Sequence, residues 1–375
     1  MQSPFLFGKT VSVNGFTNRT QDIIRLKANF TNKINSIIIS PRRWGKSSLV
    51  KKVAEEIKSR QIKVVMIDML RIRNEEDFYK AYASAVIKAT SGKVSEWVET
   101  GKQFLKNIAP KISIGTDPMQ DIEISFDWKS VEKNYREILN LPEKIAAAKN
   151  ISIVICLDEF QNLATFKEPE LFQKRLRSEW QHHQQVTYCL YGSQQHMMTE
   201  LFVKQSKAFY KFGEIIYLQK ISRSSWIKYI TEQFTATKKT IPEDFANDIA
   251  ATVKDHSYYV QQLSHLVWLQ SEKKVVPDNI VAAIDDLLAQ NAMLYMRDTE
   301  NLTTPQFNFL KALADGITTG LSSKNTIHKY HLGTSANVLK IKKALLQKEL
   351  IEEGLGRIEF LDPCYELWFK KNMQH

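Results

Sequence analysis

Cysteine is scarce in this chain of 375 residues, which has only Cys156, Cys189 and Cys364. They are odd in number and widely spaced, and two lie inside apolar runs. Buried reduced thiols are expected, and a disulfide framework or a cysteine metal site is disfavoured. Long apolar runs are also missing, since none approaches the ~18 residues of a membrane span. The start, MQSPFLFGKT, lacks the basic end, apolar stretch and small-residue cleavage site of an export signal. These absences point to a cytoplasmic protein with no membrane partner. The sequence shows no internal repeat, no low-complexity tract and no nuclease or protease motif, so it names neither a signal nor a pathway.

What the chain does have is the composition of a globular protein, with 43% hydrophobic and 25% charged residues. At about 150 residues per domain its length suggests two or three domains. A net charge of +11 raises nucleic acid as a partner, but the distribution blunts that inference. Lys and Arg outnumber Asp and Glu by 26 to 16 over residues 1–150 and by 10 to 7 over 303–375, and fall short by 16 to 18 in between. The excess sits in the N-terminal part. A site for a highly anionic ligand accounts for some of it, and solvated helical lysines such as Lys51, Lys52 and Lys58 for much of the rest.

Apolar runs suited to buried parallel strands occur at 36–40, 63–69, 151–157, 187–192 and 215–218, each followed by a longer helical pattern. This predicts an α/β doubly wound parallel sheet over 1–220, interrupted at about 91–130 by a mixed insertion that can carry a short hairpin. A helical domain is expected over 221–300, with Pro242 and Pro277 near the first turns of new helices. Residues 301–375 read as a winged helix-turn-helix. One helix begins at Pro305 after Thr303 and Thr304, a short one covers 324–330, and a third is capped by Ser335 with Val338, Ile341, Leu345 and Leu346 inward. A hairpin follows. Lys340, Lys342 and Lys343 lie on the third helix, the usual candidate for a DNA major groove. The segment's small charge excess puts protein packing ahead of DNA contact.

The most informative junction is IIISPRRWGKS at 37–47, where a β-branched run meets a phosphate-binding loop. Through Ser40, Pro41, Arg42, Arg43, Trp44 and Gly45 the backbone N–H groups can converge on a polyphosphate at a helix start, which also takes in Ser48. Lys46 reaches the β and γ phosphates, and the Ser47 hydroxyl can ligate Mg²⁺. Ser40 stands where GxxxxGK[ST] has its first glycine. Serine lacks φ > 0 freedom, so the loop must enter its turn from an extended conformation, which Pro41 favours on Ser40.

A second constellation is Asp158-Glu159 at the end of ISIVICL. A carboxylate at the end of a strand next to the loop's own can hold Mg²⁺, and Glu159 can polarise the attacking water. Gln161 either orients that water or is a plain polar residue at a helix start. Ser193 ends a strand expected between the other two. It can sense a γ-phosphate, or simply N-cap the next helix. Arg175 and Arg177 are candidates to stabilise transition-state charge, against the simpler reading of ion pairs with Glu170 or Glu179.

The order FTNR, IIISPRRWGKSSL, ICLDEFQNL, LRSEWQ, LYGSQQHMMTELF, SYYVQQLSHLVW and FLDPCYELWF resembles the archaeal-type P-loop ATPases of the STAND and AAA+ grouping over nearly the whole chain. The resemblance implies an ASCE-type core with strand order 5-1-4-3-2, a helical lid and a winged helix that often packs on the nucleotide domain. It also implies that the segment Phe16 to Arg19 lines an adenine pocket, and that Asp255 to Tyr259 supplies a lid contact. That contact is usually a Gly-x-Pro; here Asp255, His256 and Ser257 stand in its place, with His256 either approaching the nucleotide or serving as a cap or solvated side chain. The expected protein is a Mg²⁺-dependent ATPase that binds ATP and ADP and switches its lid and winged helix with nucleotide state. It would turn over slowly until a protein partner or self-association completes the site. Two alternatives remain open: an ATP-regulated DNA-binding protein, and a binding-only switch with negligible hydrolysis.

Overall fold

The computed structural model describes residues 2–9, 19–92, 94–105, 108, 111–114, 122–125, 127–354 and 356–373. They fall into two compact units, Arg19–Gln219 and a second that runs from Lys220 and takes in Phe5.

In the first unit, five parallel strands form one sheet: β1 (Ser36–Ile39), β2 (Ile62–Asp68), β3 (Ser152–Asp158), β4 (Val186–Gly192) and β5 (Glu214–Tyr217). Their order is β2-β3-β4-β1-β5, the expected 5-1-4-3-2 read from the other edge. The three central strands are buried along almost their whole length, because helices cover both faces of a parallel sheet. Ile37, Ile38 and Ile39 are each at most 1% exposed. Burial at that level contributes about 1.5–3 kcal/mol per residue, and it fixes β1 in the middle of the sheet. The edge strand β2 alternates instead, leaving Met66 44% exposed.

One expectation is corrected here. The strand ending in Asp158 is not next to the strand that carries the loop, because β4 pairs with both and lies between them. Register explains why the site can still close. Ile39 sits opposite Gly192, and Leu157 opposite Leu190, so the residues after β1, β3 and β4 emerge at one end of the sheet.

Within the expected insertion, helix Val94–Phe104 is followed by an antiparallel pair, Lys111–Ile114 with Ile122–Ser125. The second of these strands runs along helix Glu75–Thr90.

The second unit contains helices Arg223–Ala236, Glu243–Thr252, Ser257–Gln270 and Pro277–Glu300, then Thr304–Ala314, Lys324–Lys329 and Ser335–Gln347, then a hairpin of Ile351–Gly354 and Arg357–Phe360. Pro242 occupies the N-cap of the second helix, and Pro277 is the first residue of the fourth. The third winged-helix helix is capped by Thr334, not Ser335: the Thr334 hydroxyl accepts from the Asn337 N–H at 3.2 Å. A last helix, Pro363–Met373, was not expected, although Asp362 before Pro363 is a sound start signal. Asp362 accepts from the N–H groups of Cys364 and Tyr365. One apolar core spans these elements, from Trp226 and Val260 through Leu310 and Leu345 to Phe369, so the helices before Asn301 and the winged helix pack as one body. No helix among the described residues is long and apolar enough to cross a membrane.

Candidate functional site

The loop from Ser40 to Gly45 leaves β1 and enters helix Lys46–Ile57, whose Leu49, Val50 and Val53 are buried. The chain reverses through two left-handed residues, Arg43 (φ 64°) and Gly45 (φ 89°); Ser40 is not among them. The missing first glycine is therefore tolerated because the turn takes its positive φ further along. Ser40 and Pro41 are buried, and the Ser40 hydroxyl donates to the Pro41 carbonyl at 3.2 Å. Arg42 and Arg43 are exposed, Trp44 is half-buried and Ser48 is buried. Gly45 supplies the N-cap, so the first free N–H groups of the helix belong to Lys46, Ser47 and Ser48.

Lys46 is only 6% exposed. Its ammonium donates to Glu159 Oε1 at 2.6 Å and lies 4.0 Å from Asp158 Oδ1. Ser47 Oγ donates to Asp158 Oδ2 at 2.7 Å. The start of the helix thus reaches across β4 to the end of β3 and touches both acids.

Glu159 has a left-handed backbone (φ 50°, ψ 46°), which costs a residue with a side chain about 1–3 kcal/mol. The turn aims its carboxylate at the end of β4. Oε2 accepts three hydrogen bonds, from Gln161 Nε2 at 2.6 Å, Ser193 Oγ at 2.8 Å and the Ser193 N–H at 3.0 Å. Burial alone would raise this carboxyl, but the Lys46 charge and the hydrogen bonds from Gln161, Lys46 and Ser193 outweigh it and hold the group at about 2. Asp158 moves the other way: burial raises it, and Lys46 and the Ser47 hydroxyl offset only part of the shift. Two adjacent acids thereby acquire different characters, one firmly ionised and one easier to protonate.

Ser193 does not cap the next helix. Gln194 takes that position without a side-chain bond, and Ser193 turns both its donors to Glu159. The hard-oxygen pair Ser47 and Asp158, already within hydrogen-bonding distance, has the donor chemistry that suits Mg²⁺.

Two sequence candidates of the first unit, Arg175 and Arg177, are engaged with residues outside this cluster. Arg175 pairs with Glu75 at 2.5 Å and stacks over the Tyr135 ring, while Arg177 lies over Phe212. The acids first considered for them are engaged elsewhere, Glu170 with Lys207 and Glu179 with Arg136. His256 belongs to the second unit, where it is 5% exposed, packs on Tyr259 and makes no side-chain cap to the helix it precedes. Its neighbour Asp255 is held by Arg223. Phe16 lies outside the described residues.

Arg19 has a role that sequence reasoning missed. Its buried guanidinium donates to the Trp44 carbonyl in the loop at 2.7 Å and to the Gln219 carbonyl at 2.7 Å, and it also meets Asp22 at 3.3 Å. Both acceptors on the long-range side are backbone atoms, so no sequence signal could have named them.

Residues 293–371 match a family model described as a probable winged helix domain. No curated protein sequence matches the chain. Among solved structures, the chain is similar to the Walker-type ATPase PABY2304 of Pyrococcus abyssi, with a TM-score of 0.68 and 13% identity over 98% of this chain and 99% of that one. It is also similar to the ORC2 protein of Aeropyrum pernix, solved as ADPNP–ADP complexes, with a TM-score of 0.55 and 12% identity over 99% of this chain and 100% of that one. At such identity the likeness is one of fold: a P-loop ATPase sheet followed by helices and a winged helix.

Proposed function

We propose that this chain is a Mg²⁺-dependent ATP-binding and ATP-hydrolysing switch of the STAND/AAA+ type. The observation that carries the reading is the single cluster of Lys46, Ser47, Asp158, Glu159 and Ser193 at the end of the sheet where the loop opens. Lys46 meets the β and γ phosphates, the N–H groups at the helix start face the phosphate oxygens, and Glu159 takes a proton from the attacking water. Ser47 and Asp158 would hold Mg²⁺, which neutralises charge on the phosphates. The adenine nucleotide class is supported by the ORC2 protein of like fold, whose structure is of ADPNP–ADP complexes.

The switch component rests on Arg19. It opens the first unit and Gln219 closes it, so one guanidinium joins the loop carbonyl of Trp44 to the two places where the chain leaves that unit. A change of loop conformation on nucleotide exchange acts directly on those crossings. In this reading the winged helix packs against protein rather than DNA. On its third helix Lys342 is paired with Glu353 of the wing, and the wing adds Glu352 and Glu359. Arg175 and Arg177 are engaged within their own unit, by Glu75 and Tyr135 and by Phe212, so in this reading neither supplies the transition-state arginine; one from a second molecule would complete the site, and isolated protein is expected to turn over slowly.

The decisive measurement is isothermal titration of the full chain with ATP, with and without Mg²⁺, followed by steady-state phosphate release. Saturable ATP binding that strengthens with Mg²⁺, together with measurable turnover, is expected. No binding at millimolar ATP would end this reading, and binding with no turnover would leave a binding-only switch.

A further inference from the structure

The carboxylate of Glu159 is held unevenly. Among the described residues Oε2 accepts three bonds, from Gln161 and Ser193, whereas Oε1 accepts only the Lys46 ammonium. A triphosphate competes for that ammonium. Once Lys46 turns to phosphate, Oε1 loses its donor and Oε2 keeps all of its own.

The Gln161 amide is itself fixed from behind. Its residue is 5% exposed, and its Oε1 is buried with no hydrogen-bond partner among the described residues. Rotating the amide would set that oxygen against Glu159 Oε2, two acceptors 2.6 Å apart, so the orientation is determined. The space it occupies exists only because residue 192 is glycine. A Cβ there would lie 1.9 Å from Gln161 Oε1 and 2.8 Å from Met198 Sδ. Gly192 has no left-handed φ, so the requirement is for room rather than for backbone freedom. An unpartnered buried carbonyl costs about 1–3 kcal/mol, a penalty that a residue with only a packing role gives no reason to keep.

We propose that Gln161, seated against Gly192, is a positioning residue that pins Glu159 Oε2 and so makes Oε1 the oxygen that takes the proton of the hydrolytic water. In that step the water O–H bond breaks with its proton passing to Oε1. The water oxygen bonds to the γ-phosphorus, and the bond from phosphorus to the β,γ-bridging oxygen breaks with its electron pair going to ADP. Gln161 touches neither nucleotide nor water; it acts through Glu159. The inference rests on the ATPase reading above.

The test is a double-mutant cycle on the full chain with Gln161→Ala, Gly192→Ala and both together. It is read by kcat, by KM, by ATP affinity from calorimetry and by the midpoint of thermal unfolding. Gln161→Ala is expected to lower kcat by about 10- to 10²-fold, the loss that a displacement of about 1 Å causes in a positioned group, with KM and ATP affinity within about threefold of wild type. Gly192→Ala pushes the same amide aside from a position that bears no chemical group, so it should reproduce that loss. In the double variant the two losses should not multiply, because the second change acts on an amide already removed. Wild-type kcat in Gln161→Ala, or a loss expressed in KM with kcat intact, would overturn the proposal while leaving the ATPase standing. Multiplicative losses would also overturn it. If Gly192→Ala does not fold, the kcat against KM split in Gln161→Ala decides alone. A wild-type chain that binds no ATP or releases no phosphate would remove the parent reading and this one with it.

Discussion

Glu159→Gln is expected to bind ATP at least as tightly as the wild type and to hydrolyse it at least about 10²-fold more slowly, the low end of what a positioned general base contributes. The substitution keeps the size of the side chain and an oxygen able to accept from Ser193 and Gln161, so the turn at the end of β3 has no steric reason to change. It removes the one charge that Lys46 contacts at 2.6 Å. Because the carboxylate and a triphosphate compete for the same ammonium, its loss favours the nucleotide, and the affinity change should be neutral or upward. Calorimetry and single-turnover hydrolysis measure the two arms separately. Wild-type turnover in the folded variant would take Glu159 out of the chemistry.

Lys46→Ala is the complementary case, with the effect expected in binding. Truncating one partner of a buried, hydrogen-bonded charge pair costs about 2–5 kcal/mol, so ATP affinity should fall by about 30-fold or more. Glu159 would keep its three bonds from Gln161 and Ser193, and the fold should survive. A shift in unfolding temperature of a few degrees is compatible with that. Titration with ATP at several millimolar decides the matter. Unchanged binding by a folded Lys46→Ala chain would mean that the loop is not a nucleotide site.

These effects centre on residues that the sequence alone had marked, and the reason is physical. The candidate phosphate loop is built from consecutive residues, so Gly45, Lys46 and Ser47 mark it locally, and an apolar run ending in Asp158-Glu159 marks the candidate acid strand just as directly. Strand positions were legible because short β-branched runs such as Ile37–Ile39, bounded by turn residues, suit a strand buried on both faces. What could not be read was set by contacts between distant residues. The place of β4 between the acid strand and the loop strand came from the family resemblance and its strand order, not from the runs themselves, because that pairing spans more than a hundred residues of chain. Arg175 found Glu75, a hundred positions away, instead of a neighbour on its own helix. The seat of Gln161 depends on an atom that Gly192 does not have, and no pattern of residue types advertises a missing Cβ.

The three cysteines give the molecule its own gauges of motion. Cys156 and Cys189 sit directly opposite each other on β3 and β4 of the first unit, Cys364 lies in the second, and all three have no exposed surface. Burial pushes the thiols of Cys189 and Cys364 up, so neither can be alkylated while its surroundings are closed. Modification then waits on local opening, and its rate counts how often each unit opens. Saturating the loop with ATP at about a hundred times its dissociation constant should slow labelling of Cys156 and Cys189 by about a hundredfold, since only the closed form binds. If nucleotide state is felt beyond the first unit, Cys364 should change its labelling rate in the same experiment, although it is not among the residues proposed for the nucleotide site. A Cys364 rate indifferent to ATP would describe two units that open independently, and a chain without the coupling that a switch requires.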